Sequence, residues 1–384
     1  MFDITDVKNC TGCLACLNVC PYNAIEVNYN EMGKTIPKIN DNCVNCGLCI
    51  STCPENKTPE LNSLNECYAV RSKSADDLDC ASGGAASVFS RYFLNENGIV
   101  CGVAFDKEHI AAHRFIYKNE DLISLKGSKY VQSFTGTTYK SVKKYLISGK
   151  MVLYTGTPCQ IAGLKSYLKK DYDNLLTIDL ICHGTPPSVY LKDYINGLGI
   201  ENYDNISFRG KDNYKLVIYK LGNILYKKSN TKDYYFHSFY KGLTHRDNCY
   251  NCHYANSNRI SDITVGDFWG LDEKVLKNIF SGKASVILLN TEKGKKFFDL
   301  VKNDFIFEKR DIQEAIKGND QLRHPSKQHK LRKKFETEYV KCGFYGAIKK
   351  VYKKEIIKST ILELPIIYQL RKLRYNIIKR KLKW

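Results

Sequence analysis

The sequence predicts an α+β protein: a small cysteine-rich unit, a larger mixed α/β body and a basic helical C-terminal tail. Three observations predict it. Two cysteine cassettes of one spacing lie ahead of Lys57, short apolar runs then alternate with amphipathic stretches, and basic residues crowd the end of the 384-residue chain.

Composition narrows the class before any motif is read. Hydrophobic residues make up 43% of the chain and charged residues 26%, the balance of a globular protein long enough for two or three cores. No uninterrupted apolar run reaches the about 18 residues of a membrane span. The opening MFDITDVKNC has neither the basic nor the apolar region of a secretory signal. Sixteen cysteines without such a signal point to metal or redox chemistry in a reducing cytoplasm, not to a disulfide framework. The formal net charge is +19, but Lys341–Trp384 holds thirteen Lys/Arg against two Glu, and Arg323–Lys334 holds six more basic residues. The excess is therefore a feature of the C-terminus.

The front unit comes first. Cys10, Cys13, Cys16 and Cys20-Pro21 obey C-x2-C-x2-C-x3-C-P, and Cys43, Cys46, Cys49 and Cys53-Pro54 obey it again. Three closely spaced thiolates wrap one face of an iron–sulfur cube, and the fourth cysteine of such a run ligates the neighbouring cube. The first cluster is thus assigned to Cys10, Cys13, Cys16 and Cys53, and the second to Cys43, Cys46, Cys49 and Cys20. Gly12, Ala15 and Gly47 leave room for amides to approach the sulfurs. Structural zinc is the alternative, but it normally takes two CxxC pairs separated by a longer loop. The pattern resembles bacterial-type two-cluster ferredoxins and predicts a domain over 1–60 with two 4Fe–4S clusters.

The body follows a polar linker, TPELNSLNE. Cys67–Arg71 reads as a strand, and the Gly-rich CASGG run leads into a helix. Gly98–Phe105 is a strand, Val131–Ser148 a helix, Met151–Tyr154 a strand and Pro158–Lys169 a helix. Leu175–Cys182 is a strand, Pro187–Gly197 a helix, and Ile206–Tyr226 alternates like an antiparallel hairpin. Strand–helix alternation argues for an α/β part, and the hairpin makes the whole α+β. No G-x-G-x-x-G follows a strand, so a Rossmann dinucleotide site is not supported. Cys159 and Cys182 fall at the carboxyl ends of strands, where ligands gather. With the Cys249-x-x-Cys252 pair they make four thiols, enough for a third cube or a zinc; plain packing of buried cysteines is the alternative.

The blocks CASGGAAS from Cys80, LKGSKYVQS, GKMVLYTGTPCQIAGLKSYL with NLLTIDLICHGTPP, and CYNCHYA with RISDITVGDFWG occur in one order. Together they resemble the coenzyme F420 hydrogenase/dehydrogenase beta-subunit family from about Glu66 to Tyr339. The resemblance implies an iron–sulfur flavoprotein oxidoreductase with FAD and a further 4Fe–4S cluster in one domain. It would pass electrons between clusters and coenzyme F420 or another reducible small molecule. A flavin takes electrons in pairs and yields them singly, so it suits a place beside an iron–sulfur chain. The domain would have parts 61–150 and 151–338, the second with flavin and third cluster, leaving 339–384 as the tail.

Carried over by position, the resemblance places Ser82, Gly83 and Gly84 at the flavin phosphates or ribityl chain. Gly127, Ser128, Lys129 and Tyr130 would face the cofactor, with Lys129 at a phosphate or the ring edge. Thr155, Gly156, Thr157 and Gln160 would line it, and Cys159, Cys182, Cys249 and Cys252 would hold the third cluster. His183 is the candidate proton donor and Asp267 the candidate anchor for a ring nitrogen; a strand-end hydrogen bond and a turn contact are their plainer roles. Phe268, Trp269 and Tyr234-Tyr235-Phe236 are candidates to stack on a planar ring, or core. The implied partners are a redox protein or ferredoxin, a small hydride carrier and, in some arrangements, a second copy of the chain. A non-catalytic relay subunit and a polysaccharide-pathway protein are the alternative functions.

In the tail, Pro365 can open a helix with Ile366, Leu370, Leu373, Ile377 and Leu382 near one face. Basic residues fill the rest, which suits an anionic membrane surface at the cytoplasmic face, an acidic partner, or simple solvation. Nucleic acid has charge alone in its favour. Iron content tests the cysteine assignments. Anaerobically reconstituted protein is expected to hold about eight irons per chain for two cubes and about twelve for three, whereas a colourless zinc protein would overturn the reading.

Overall fold

The computed structural model describes residues 3–63, 66–77, 79–209 and 214–362. The front unit is wound around its cysteines. Helices α1 (Ala15–Val19) and α2 (Leu48–Ser51) each begin within a cassette, and an antiparallel pair, β1 (Ile25–Tyr29) and β2 (Thr35–Ile39), lies between them in sequence. The cassettes repeat in backbone as well as in spacing. Gly12 and Leu14 take φ of +68° and +61°, and Asn45 and Gly47, at the matching positions, take +55° and +74°. A left-handed residue on each side of the middle cysteine curls the chain about one point, a conformation glycine adopts freely and other residues at some cost.

The body is one eight-stranded mixed sheet with helices on both faces, plus a smaller sheet. Its strands are β3 (Glu66–Ser72), β4 (Ile99–Phe105), β5 (Ala111–Ile116), β6 (Val152–Gly156) and β7 (Leu175–Leu180). Then come the three strands of the smaller sheet, β8 (Asn205–Ser207), β9 (Lys215–Lys220) and β10 (Asn223–Ser229), and finally β11 (Ile263–Asp267), β12 (Ser285–Leu289) and β13 (Phe305–Arg310). The large sheet is ordered β13-β3-β12-β11-β7-β6-β4-β5. Strands β4, β6, β7 and β11 are mutually parallel. Because β12 is antiparallel to both β11 and β3, β3 runs with them. Five carboxyl ends therefore share one edge of the sheet, the edge at which such folds hold ligands.

Helices α3 (Ala85–Asn95), α4 (Thr138–Ile147), α5 (Pro158–Leu168), α6 (Ser188–Gly197) and α7 (Tyr234–Tyr240) precede α8 (Glu273–Asn278), α9 (Glu292–Val301), α10 (Ile312–Gly318) and α11 (Arg332–Leu362). The two-residue alternation of a strand explains the layering. In β6, Leu153 joins Phe89, Phe93 and Phe298 of α3 and α9, while Val152 and Tyr154 join Tyr139, Ile161 and Leu164 of α4 and α5. Both faces are covered, hence the near-continuous apolar strand sequences.

Three boundaries differ from the sequence reading. The helix expected over Val131–Ser148 starts at Thr138, because Phe134 is extended and bridges β5, its amide donating to the Ala111 carbonyl at 2.8 Å. The hairpin of Ile206–Tyr226 is three strands, with Ile206 on β8. The expected tail boundary at residue 339 lies just ahead of a break in α11, where Cys342 and Gly343 (φ +65°) leave the helical conformation, but the stretch beyond is not a separate tail, since Phe344, Ile348 and Tyr352 are buried beside Tyr235 and Phe236 of α7. The aromatic run at Tyr234 is thus largely core. Glu363 onward, including the expected helix at Pro365, lies outside the described residues. Among the described residues no helix is long and apolar enough to cross a membrane.

The front unit docks on α4 and α5. Asn18 Nδ2 donates to the Gly136 carbonyl at 2.8 Å, its Oδ1 accepts the Lys140 amide at 3.1 Å, and Thr135 Oγ1 donates to the Cys13 carbonyl at 2.9 Å. Cys13 lies directly against Gly163 of α5: a Cβ there would sit 2.9 Å from its sulfur. Alanine in a helix interior is ordinarily worth about 1 kcal/mol over glycine. Here G163A is expected to lower stability by about 1–3 kcal/mol through overpacking, read as a lower thermal midpoint; a raised midpoint would show slack at the junction.

Candidate redox site

Each cassette gathers its thiols. Cys10, Cys13, Cys16 and Cys53 surround a small cavity closed by Val7 and Pro37. Burial pushes the Cys13 thiol up to about 12, and the charges of Cys10 and Cys53 add to the rise. Against this stand N–H donors aimed at sulfur, from Gly12 to Cys10, Ala15 to Cys13 and Leu17 to Cys16. Such donors favour thiolates, the form that binds iron. In the second cassette Cys43, Cys46 and Cys49 are electrostatic neighbours, and Cys20 packs in one cluster with Cys43 and Cys49. Cys46 is exposed, whereas Cys13 and Cys16 are buried.

Four further thiols come together beyond the junction. Cys159 lies in the first turn of α5, Cys182 just past β7, and Cys249 and Cys252 in and after a short 3-10 turn, Asp247–Asn251. Cys159 lies within electrostatic reach of the other three, and Cys182 of both Cys249 and Cys252. Burial raises Cys182 to about 12 and Cys252 to about 11. The Gly184 amide donates to the Cys182 sulfur at 3.4 Å, Thr157 Oγ1 is 3.2 Å from that of Cys159, and the amides of Thr185 and Tyr254 serve Cys249 and Cys252. Among the described residues no three His, Cys, Asp or Glu side chains close on a single point as one metal ion requires. The fit to a larger thiolate-bound group rests on the donor set and its N–H bonds.

Arg259 holds this site in shape. It is 2% exposed and donates to Asp179 Oδ1 at 3.1 Å, the Leu180 carbonyl at 3.1 Å, the Tyr254 carbonyl at 2.8 Å and Thr264 Oγ1 at 3.1 Å. One guanidinium thereby ties the ends of β7 and β11 to the loop after Cys252.

At the carboxyl edge of the sheet the remaining predicted residues are spread past or at the ends of β3, β6, β7 and β11 and along the loop Gly127–Tyr130. Ser82 Oγ donates to the Ala284 carbonyl at 3.0 Å, the Gly83 amide donates to Ser285 Oγ at 2.8 Å, and Gly84 (φ +80°) opens α3. Thr155 and Gly156 end β6, His183 follows β7 and is exposed, and Asp267 ends β11. Asp267 Oδ2 accepts from Arg209 Nη1 at 2.5 Å. The Arg209 guanidinium lies over the Tyr214 ring, and its buried Nε finds no partner among the described residues. Tyr130 packs on Phe236 and Phe239 with Ser128 and Arg209 beside its phenol, and Gly127 takes φ +79° next to the Arg209 carbonyl. Trp269 is 44% exposed and Phe268 is buried.

Residues 9–57 match the 4Fe-4S dicluster domain, and residues 149–315 match the family that describes the C terminus of the coenzyme F420 hydrogenase/dehydrogenase beta subunit. Residues 9–57 are thus a 4Fe–4S dicluster domain, and residues 149–315 correspond to the C-terminal domain of that beta subunit. Iron–sulfur clusters and an electron-transfer role follow from those two matches. A solved chain of the F420-reducing NiFe hydrogenase complex from Methanosarcina barkeri is similar at 21% identity, over 77% of this chain and 94% of its own, with a TM-score of 0.48. No curated protein matches. Residues 66–148 lie outside the beta-subunit match, yet β3, β4 and β5 belong to the same sheet as the matched strands.

Lys129 and Gln160, like Ser82 and Gly83, are engaged with protein groups. Lys129 Nζ donates to the carbonyls of Ser124, Leu125 and Lys126 at 3.3, 3.0 and 2.9 Å, so its three protons cap a 3-10 turn instead of meeting a phosphate. Gln160 Oε1 accepts from the Thr157 amide at 3.1 Å and hydroxyl at 3.0 Å, and its Nε2 donates to Ser133. With Thr157 it forms a capping box on α5, a pattern readable in Thr-Pro-Cys-Gln. The sequence reading missed Arg209, Arg246, Gln132, Gly163 and Tyr254. Serine at Cys159 is expected to remove about four irons per chain if it ligates a cube; unchanged iron would make it packing. Methionine at Arg259 leaves Asp179 buried without a counter-charge, and a loss of about 3–5 kcal/mol is expected in denaturant unfolding.

Proposed function

We propose that the chain is an iron–sulfur flavoprotein oxidoreductase. Electrons enter or leave at the exposed second cassette, cross the buried first cassette and a third 4Fe–4S cluster held by Cys159, Cys182, Cys249 and Cys252, and meet FAD at the carboxyl edge of the sheet. The observation that carries this reading is the position of Cys159, one of the four gathered thiols, in the first turn of α5. Gly163, which touches Cys13, lies four residues after Cys159, about 6 Å along a helix. The first cassette and the third site are therefore separated by roughly one helical turn, a span suited to a cluster-to-cluster step.

Bound FAD would supply the exchange between paired and single electrons. The residues suited to hold it are Ser82, Gly83 and Gly84 with the α3 N-terminus, the Nε of Arg209, which has no partner among the described residues, and Gly127, Ser128 and Tyr130. Asp267, fixed by Arg209 at 2.5 Å, would accept a ring N–H, and the exposed His183 would exchange a proton with solvent beside it. Lys129 and Gln160 shape these loops and do not touch the cofactor. The hydride carrier is coenzyme F420 or another planar reducible molecule, with Trp269 at the open side.

Acid release of the reconstituted, desalted protein should yield flavin at about one per chain, with substrate reduction by reduced coenzyme F420, NADH or reduced ferredoxin compared side by side. Full iron with no flavin would replace this reading with that of a non-catalytic relay subunit.

A further inference from the structure

Four arginines are buried among the described residues, and three of them face carboxylates: Arg209 with Asp267, Arg259 with Asp179, and Arg332 with Asp247 and Glu336. The fourth, Arg246, is 3% exposed and has none among the described residues. Its Nη1 donates to Gln132 Oε1 at 2.8 Å, its Nη2 to the carbonyls of Cys10 at 2.8 Å and Thr35 at 3.0 Å, and its Nε to Asn248 Oδ1 at 3.4 Å. All four acceptors are neutral. The adjacent Asp247 is occupied by Lys34 and Arg332. A cation buried among neutral acceptors is costly, and native proteins offset that cost with a counter-charge.

Anionic sulfur is the counter-charge at hand. Arg246 spans the junction: its side chain clamps the backbone of Cys10 and Thr35, and its carbonyl accepts the amide of Cys249 at 3.0 Å. Gly12 makes the approach feasible, since a Cβ there would lie 2.5 Å from Gln132 Nε2 and 3.4 Å from Arg246 Nη2. We propose that Arg246 is the shared counter-charge of the first-cassette cluster and the third cluster, and that it raises the reduction potential of both. Adding an electron to a thiolate-held cluster adds negative charge, and a fixed cation in a water-poor junction favours that state far more than it would in bulk water. Arg246 is a positioning residue. The third-cluster half of the inference rests on the proposed function, and the first-cassette half does not.

The test is a redox titration of the full, anaerobically reconstituted chain followed by electron paramagnetic resonance, on wild type, R246K, R246Q and Q132E. R246Q is expected to disfavour reduction of the first-cassette cluster about tenfold, equivalent to about 59 mV for a one-electron couple. R246K should stay near wild type. Q132E keeps the guanidinium and its 2.8 Å contact but places a carboxylate on it, and should shift the midpoint the same way. The exposed second-cassette cluster should move less. Unchanged midpoints in Q132E at full iron overturn the proposal, and they decide the matter even if R246Q fails to fold. A shift confined to the first cassette in a protein with about twelve irons overturns the sharing. If wild type holds only about eight irons, the third cluster of the proposed function fails, and the first-cassette midpoint still judges Arg246.

Discussion

Close approach of sulfur to backbone organises this molecule. Cys13 reaches α5 only where Gly163 presents no side chain, and the first cassette admits Gln132 and Arg246 only beside Gly12. Gly184 (φ +103°) does the same at the third thiol site, where a Cβ would lie 2.6 Å from the ring of His245. Each glycine gives up conformational stability in exchange for a contact that no other residue permits. Between these points the polar groups are satisfied by Asn18, Thr135 and Arg246, which bond main-chain carbonyls across the junction. Two of these carbonyls belong to the front unit, and its own side chains add to the grip through Asn18 and the Lys34–Asp247 ion pair.

The second consequence concerns the sheet. Its parallel strands bring Cys159, Cys182 and Asp267 to one edge because each lies at or just past the end of its strand. The helix that follows β6 starts cleanly, with Pro158 in the first turn and the Thr157–Gln160 box closing it. A well-capped helix start fixes Cys159 in direction as well as place. Lys129 acts in the same way on the neighbouring loop. Burial drives its ammonium down to about 7, and three carbonyl acceptors compensate for that burial. Residues that look chemical in a motif serve here as architecture for those that are.

Much of this was legible in the residues, for identifiable reasons. The cassettes, the strands at Gly98, Met151 and Leu175 and the helix at Pro158 are local patterns, in which spacing and apolar runs carry the information. The four-thiol site was half legible: strand ends announce themselves, but the meeting of Cys159 with Cys249 requires the sheet to be assembled. Arg246 was illegible. Its carbonyl partner Cys10 is 236 positions away, and nothing in the string marks one arginine among many as lacking a carboxylate. Strands β12 and β13 were missed as well, since their pairing with β3 is antiparallel and distant, without a hairpin turn to signal it. The packing of the first part of the tail was illegible for a related reason. Lysines dominate α11 by count, while the few apolar residues at Phe344, Ile348 and Tyr352 decide where it packs.

Exposure sets a gradient along the cysteines. At the second cassette Cys46 and Val44 are exposed, and water can solvate whatever charge an arriving electron brings. At the first cassette Cys13 and Cys16 are buried and that solvation is gone. Transfer inward is then uphill unless the protein replaces water with fixed dipoles and charge. The amides of Gly12, Ala15 and Leu17 supply the dipoles. Those donors are common to any such cassette, because its backbone creates them. A compensating cation is not, and it has to come from the domain that buries the cassette, which is where Arg246 stands. Burial of the junction and the counter-charge proposed at Arg246 are in this sense one feature.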